Sequence, residues 1–390
     1  MTFSGECFAT STFLITFAHM KRICIVAGAR PNFVKVAPII AAIGRTEHLD
    51  YDLVYAGKAD DPTLEPSMFS DLGMPAPNVF LGVDCENLNE LTGRVMSEMD
   101  CYLEQHQDVT TVIVVDDLAS TMAAAIVTKK RGLRLAHLVA GTRSFDIKMP
   151  KEINRLVIDG LSDLLFTAGV AQSSIATREG AEMHKIYMVG NILMDSLRQN
   201  HDRWQRPACL AGIADGSYLV FTLNRKALMA NEANLSLMLQ AINKQAANTQ
   251  AVSGQTQTQP VKVIAPLRGR ARQLVQRMVD EQHLDNILVT DAMSYLEFGY
   301  LTAHAKGVIT DSGNVAEEAT WNHVPCITLN SYTEHQETVK VGTNILVGED
   351  AAKLQDALAD IMAGRWKEGA LPDRWDGRSA ERIVRILLEH

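Results

Sequence analysis

Two stretches of the chain combine small residues, cations and a helix start in a way that suits an anion. Gly28-Ala29-Arg30-Pro31-Asn32-Phe33-Val34-Lys35 follows an apolar run. A glycine there permits a tight turn, and Arg30 and Lys35 flank the amino terminus of the next helix, where backbone N–H groups and the helix dipole favour negative charge. Asp311-Ser312-Gly313-Asn314-Val315-Ala316-Glu317-Glu318 repeats the arrangement. Its small residues admit a diphosphate onto a helix start, and Glu318 is placed to accept hydrogen bonds from ribose hydroxyls. A plainer reading of the second stretch is a helix capped by Ser312, with its glutamates in solvent. Asp116-Asp117, also after an apolar run, could hold a divalent ion, but at a strand end a single functional aspartate is the expected reading. His137 ends another run and reads as structural. Histidines and cysteines fall at no metal-ligand spacing, so no metal site and no cofactor are expected.

The elements that must hold these groups alternate between short apolar runs and longer amphipathic stretches. Runs at 23–27, 53–56, 111–115, 135–139, 164–168 and 186–189 read as buried parallel strands, with helices at 34–43, 120–131 and 152–161 between them. A second series begins at 218–223 and continues at 261–265, 287–290, 307–310 and 326–329. The pattern predicts two α/β units of Rossmann type with a seam near 199–216. Ligands of such sheets sit outside the carboxyl ends of the strands. An uncharged stretch rich in Gln and Thr, 246–260, reads as a surface loop. Residues 1–19 carry an apolar patch without the basic flank or cleavage site of a signal peptide, and read as an extension before folding begins at Met20.

Composition removes several classes. The 390 residues suit two or three domains, and 37 Lys and Arg against 46 Asp and Glu give a net charge of −9. An acidic chain without a basic block is a poor nucleic-acid binder, and no apolar run reaches the roughly 20 residues that span a bilayer. Six scattered cysteines with no CxxC pair read as reduced thiols, which predicts a cytoplasmic protein.

Four segments in order, GARPNFVKVAPI (28–39), HLVAGTRSFDIKMPKEINRLVIDGLSDLLFT (137–167), VGNILMDSL (189–197) and ITDSGNVAEEA (309–319), resemble the non-hydrolysing UDP-N-acetylglucosamine 2-epimerases. The resemblance runs from Met20 to about Val347. It implies a glycosyltransferase-B type fold, with residues 20–199 and 200–377 as two Rossmann-like domains, 378–389 packing back on the first, and the site between them. It further implies a UDP-sugar ligand, a homodimer, and inversion at carbon 2. In that reaction UDP is eliminated to a 2-acetamidoglucal and added back after protonation of the opposite face.

By this resemblance Arg30 lies near the phosphates, Ser312 and Gly313 at the diphosphate, Glu318 at the ribose and Phe298 beside the uracil. Lys35, Arg225 and Glu334 match, Asp117 matches a catalytic aspartate, and Asn154, Arg155 and Asp159 match the scaffold around it. Other positions depart from the pattern. The glutamate of HVEAG is Val139, the first glutamate of PEE is Lys151, the histidine of TLHR is Asn224, the arginine of TERPE is His335, and the second glycine of DSGG is Asn314. Valine carries no proton and asparagine none at neutral pH. The nucleotide half of the site is thus kept while the sugar half is changed. The expectation is an epimerase-like enzyme of altered chemistry using Asp117, Lys151 and Glu334. Nucleotide contacts are expected from Arg30, Lys35, Asn224, Arg225, Phe298, Ser312, Gly313, Asn314, Glu318 and His335. The alternatives are an enzyme that cleaves or transfers a sugar from a nucleotide sugar, and a UDP-sugar binder without catalysis.

Overall fold

A computed structural model describes residues 21–247 and 260–390. The expected extension 1–19 and residues 248–259 of the expected loop lie outside the described residues. Ala246 and Ala247 instead close the helix Glu232–Ala247.

The first unit is a seven-stranded parallel sheet. Its strands are β1 (Lys21–Ala27), β2 (Leu49–Tyr55), β3 (Val79–Phe80), β4 (Val109–Val115), β5 (Arg134–Ala140), β6 (Leu164–Thr167) and β7 (Ile186–Met188). Their spatial order is β3-β2-β1-β4-β5-β6-β7. The second unit holds β8 (Tyr218–Phe221), β9 (Lys262–Pro266), β10 (Ile287–Thr290), β11 (Gly307–Thr310), β12 (Cys326–Thr328) and β13 (Asn344–Leu346), in the order β10-β9-β8-β11-β12-β13. Both sheets are doubly wound, and strand order reverses between β1 and β4 in one and between β8 and β11 in the other. A crevice opens at such a reversal, because neighbouring connections leave to opposite faces of the sheet. The two crevices face each other, in the arrangement of a glycosyltransferase-B fold.

The strands form because runs such as Ile23-Cys24-Ile25-Val26 and Val112-Ile113-Val114-Val115 bury every side chain, as a sheet covered on both faces requires. Two strands were not anticipated. They are β3 and β13, two and three residues long. The first helix also begins earlier than its apolar pattern, at Arg30 rather than 34. Its opening turn is polar and contains Pro31, whose missing N–H costs nothing in a first turn.

The chain leaves the first unit through the helix Ile192–Asn200 and returns after residue 370. Trp375 is buried there against Leu193, Met194 and Leu197, with Trp204 and Trp321 packed alongside. The last helix, Ser379–Glu389, lies on the helix Arg30–Ile43, and its Ala380, Ile383, Val384, Ile386 and Leu387 complete the first unit's core. Asp195 caps it by accepting from the backbone N–H of Ser379 at 3.0 Å and Ala380 at 2.8 Å. Burial pushes the Asp195 carboxyl up to about 6, although those N–H groups pull the other way. Among the described residues no helix is long and apolar enough to cross a membrane.

Candidate active site

The first unit contributes the tips of β1, β4 and β5. Beyond β1 the chain turns at Gly28, where an added Cβ would sit 2.1 Å from Ser120 Oγ. Asn32, in the first turn of the helix, accepts from the N–H groups of Gly28 and Ala29 and donates to Asp116 Oδ2 at 2.7 Å. The Asp116 Oδ1 atom receives the ammonium of Lys35 at 2.5 Å. Lys35 therefore reaches the cleft already paired with Asp116. His137 faces acceptors on both sides, Asp159 Oδ1 at 2.5 Å from Nδ1 and the Asp116 carbonyl at 3.0 Å from Nε2. Both ring nitrogens are thus occupied, as a structural histidine requires.

Asp117 anchors a second network. Its Oδ2 accepts from Arg155 Nε at 2.8 Å, and its Oδ1 lies 3.5 Å from Lys151 Nζ. Burial alone would raise this carboxyl, but Lys151 and then Arg155 outweigh it and hold Asp117 below the usual carboxylate range. Arg155 also binds Glu152 at 3.1 Å and grips Glu334 with two hydrogen bonds of 2.8 and 2.7 Å. Glu152, neighbour of the substituted Lys151, is buried and accepts from Ser144 N, Ser144 Oγ and Phe145 N. Those bonds keep it out of the cleft.

Val139 sits where the β5–β6 register slips between Leu138 and Ala140. Its φ is 74°, a left-handed conformation that a β-branched residue adopts only under constraint. Gly141 follows at φ 75°, where a Cβ would stand 2.3 Å from the Gln172 carbonyl oxygen. The bulge turns the Val139 side chain onto the cleft wall.

The second unit contributes the tips of β8 and β11. Asp311 accepts from the N–H groups of Asn224 at 2.7 Å and Arg225 at 2.6 Å, which ties the two tips together. Its other oxygen is buried without a hydrogen-bond partner among the described residues, and burial raises the carboxyl. Ser312, Gly313 and Asn314 then open the helix Gly313–Trp321 toward the cleft. A Cβ on Gly313 would come 2.6 Å from the His335 ring, so glycine is what admits that ring. Behind the helix start, Glu318 is buried beside Glu317, and burial first, then that neighbour, pushes it up to about 8. The phenol of Tyr295 faces the same carboxyl.

Between the units lies a cavity of about 530 Å³. Arg155 and Glu334 join across it, and elsewhere the units are bonded through Asn191 Nδ2 to Glu317 Oε1 at 2.7 Å and the Tyr295 N–H to Asp71 at 3.1 Å. Of the residues singled out from sequence, Lys35, Asp117, Lys151, Arg225, Ser312, Gly313, Asn314, Glu334 and His335 line this cavity. Four do not. The guanidinium of Arg30 turns to Met68 Sδ at 3.2 Å, in the company of Arg268, Glu65 and Asp71. Asn224 is exposed and bound only through its backbone, Phe298 packs against the cluster around Leu210 and Tyr218, and Glu318 lies one layer behind. Sequence reasoning gave Arg155 only a scaffold role and left Glu317 in solvent, whereas both are buried hubs. The i, i+3 spacing of Glu152 and Arg155 was the available sign. Among the described residues no cluster of His, Cys, Asp and Glu could hold a metal ion.

The family model for UDP-N-acetylglucosamine 2-epimerase matches residues 41–388. A UDP-N-acetylglucosamine 2-epimerase of Methanocaldococcus jannaschii is 32% identical over 375 residues, covering 94% of this chain and 98% of the relative. A UDP-2,3-diacetamido-2,3-dideoxy-D-glucuronate 2-epimerase of Pseudomonas aeruginosa is 31% identical, covering 84% of this chain and 88% of its own length. The crystal structure of the M. jannaschii enzyme in complex with UDP-GlcNAc and UDP superposes with a TM-score of 0.78, covering 95% of this chain and all of that one at 31% identity. With a facing pair of doubly wound sheets and this match along nearly all its length, the chain belongs to the UDP-N-acetylglucosamine 2-epimerase family.

Proposed function

We propose that this protein binds a UDP-sugar across the cleft and interconverts its carbon-2 epimers by eliminating and re-adding UDP, with an acid–base set rebuilt around Asp117, Lys151 and Glu334. One observation carries the reading: an open helix start, Ser312–Asn314, and the Asp117–Lys151 pair line the same cavity from opposite units. The diphosphate suits the helix start, where N–H groups and Arg225 meet it. The sugar then lies toward Asp117, which neighbouring cations keep ionised and able to accept the carbon-2 proton. Lys151, with a side chain 58% exposed, can reach either that carboxylate or a departing phosphate. Glu334, presented from the second unit and held through both oxygens by Arg155, is the second carboxylate of the set, assigned to the other face of carbon 2.

A second reading has its own support. Val139 puts an apolar group where the family pattern has a carboxylate, and this favours cleavage or transfer of the sugar without proton exchange at carbon 2. Incubation with UDP-N-acetylglucosamine in deuterated water, followed by NMR, separates the two. Deuterium at carbon 2 together with the second epimer is the expected result. Free UDP without deuterium would favour cleavage. Absence of any UDP binding would overturn both. The diacetamido-uronate substrate of the Pseudomonas relative is the second compound to run.

A further inference from the structure

His335 lines the cavity beside the helix start, with a side chain 19% exposed. Its Nδ1 lies 2.7 Å from Glu317 Oε1, and Glu317 is held by Asn191 of the first unit at 2.7 Å. A carboxylate fixed at one ring nitrogen sets the ring's orientation and leaves the other nitrogen to face a ligand. That other nitrogen, Nε2, has no protein partner among the described residues. The ring lies against Gly313, in contact with the first turn of the diphosphate-facing helix.

We propose, on the footing of the function given above, that His335 is the acid for the leaving diphosphate, its Nε2–H contacting the phosphate oxygen that parts from carbon 1. The family pattern has arginine here and places its histidine at the position of Asn224; in this chain the imidazole stands at 335 and Asn224 is out in solvent. A guanidinium can hold an anion but cannot surrender a proton, whereas an imidazolium does both. In the elimination, the base takes the proton from carbon 2 and the C–H pair becomes the C1=C2 double bond. The C1–O bond pair goes to the diphosphate, and the Nε2 proton follows it, leaving a neutral imidazole. On re-addition the diphosphate returns its proton to Nε2 as the C1–O bond re-forms, and the C1=C2 pair takes a proton from the acid on the opposite face of carbon 2. Proton exchange with solvent resets the two carbon-2 groups, so no external reagent is needed.

The groups facing the ring are Glu317 from the helix Gly313–Trp321, Glu334 from its own loop, and Lys35 from the helix Arg30–Ile43. Burial favours the neutral ring, yet Glu317, with help from Glu334, outweighs burial and Lys35 and holds His335 above its ordinary value. The ring therefore keeps its proton to higher pH than a free imidazole and loses it as pH climbs through the raised value.

The test uses the full chain and the variants His335→Gln and His335→Arg, with UDP and UDP-N-acetylglucosamine as probes. NMR of the His335 ring proton follows its titration with and without saturating UDP, whether or not the sugar turns over. UDP is expected to shift the titration to higher pH. UDP release should fall on the alkaline side in the wild type, and His335→Gln should lose about 10²-fold in rate, the usual worth of a positioned acid. His335→Arg should bind UDP and remain slow. If UDP binds and the ring titration does not move, or if His335→Gln keeps the wild-type pH–rate curve, the inference falls while the UDP site stands. If UDP does not bind the wild type at all, the site itself falls. Should His335→Gln fail to fold, Glu317→Gln removes the orienting carboxylate, and is expected to lower the ring's titration point and move the alkaline limb to lower pH. No such movement would also overturn the inference.

Discussion

On the wall built by the first unit, cations and carboxylates meet each other: Lys35 with Asp116, Lys151 with Asp117, Arg155 with Asp117, Glu152 and Glu334. On the wall built by the second, the helix start at Ser312–Asn314 points into open space, and the ionisable groups behind it, Asp311 and Glu318, are buried with raised titration points. One wall has its charges satisfied before any ligand arrives; the other holds donors that a ligand must satisfy. Groups that react must stand still, and mutual pairing in a low dielectric fixes them. Groups that bind must be free to exchange water for ligand. The contrast therefore separates a wall whose charges are paired among themselves from a wall that offers an open helix start, without reference to which residues a family keeps.

Arg155→Met is the severest way to break the contrast, since it takes the guanidinium from Asp117, Glu152 and Glu334 at once and leaves Asp117 only Lys151 and Glu152 only the Ser144 and Phe145 donors. A loss of about 3–5 kcal/mol is expected, as for other buried pairs cut on one side; a urea melt measures it, and a loss below 1 kcal/mol by that same scale would mean the network is ornamental. Glu318→Gln sharpens the other side. Its carboxyl titrates near 8 in the folded protein and at about 4.5 when unfolded, so the folded chain binds more protons between those values. Wild-type stability should thus decline as pH rises through this window, while the variant, which cannot ionise, escapes that decline. Melting curves from pH 5 to 8 should show the gap widening in favour of Gln by about 3 kcal/mol; a constant gap would mean Glu318 is ionised throughout. The smallest effect concerns Val139→Gly, which relieves the left-handed backbone at a bulge. A gain of about 1 kcal/mol is expected, reduced by whatever apolar contact Val139 makes. Destabilisation would show that the side chain's packing exceeds its strain.

Much of this was legible in the chain, and the exceptions have physical causes. Continuous apolar runs declared all the strands of both sheets but β3 and β13, because a strand covered on two faces is mostly apolar. The motif at 309–319 announced its helix start through small residues that only a close approach demands. Arg30 stands in an equally telling motif, yet its guanidinium is drawn off by Met68 and the charges of Glu65, Asp71 and Arg268, which lie far away in sequence. Glu317 and Glu318 are adjacent and look alike on paper. The helix turns them to different neighbours, one to His335 and Asn191 and the other to Tyr295, and only three-dimensional packing tells them apart. Arg155 was readable as scaffold but not as hub, since two of its three carboxylates come from the β4 tip and from the other unit.

The helix that ends the chain completes the core that the first strand begins. Ile383, Val384 and Leu387 cover the apolar side of the helix Arg30–Ile43, and Asp195 waits for the N–H groups of Ser379 and Ala380. During synthesis the first sheet therefore emerges unfinished and stays so while the whole second unit is translated. A nascent chain stopped before residue 379 would leave the helix Arg30–Ile43 without the cover of the last helix, a surface suited to chaperone capture. Completion of the first domain is thus a signal that the second has already been made.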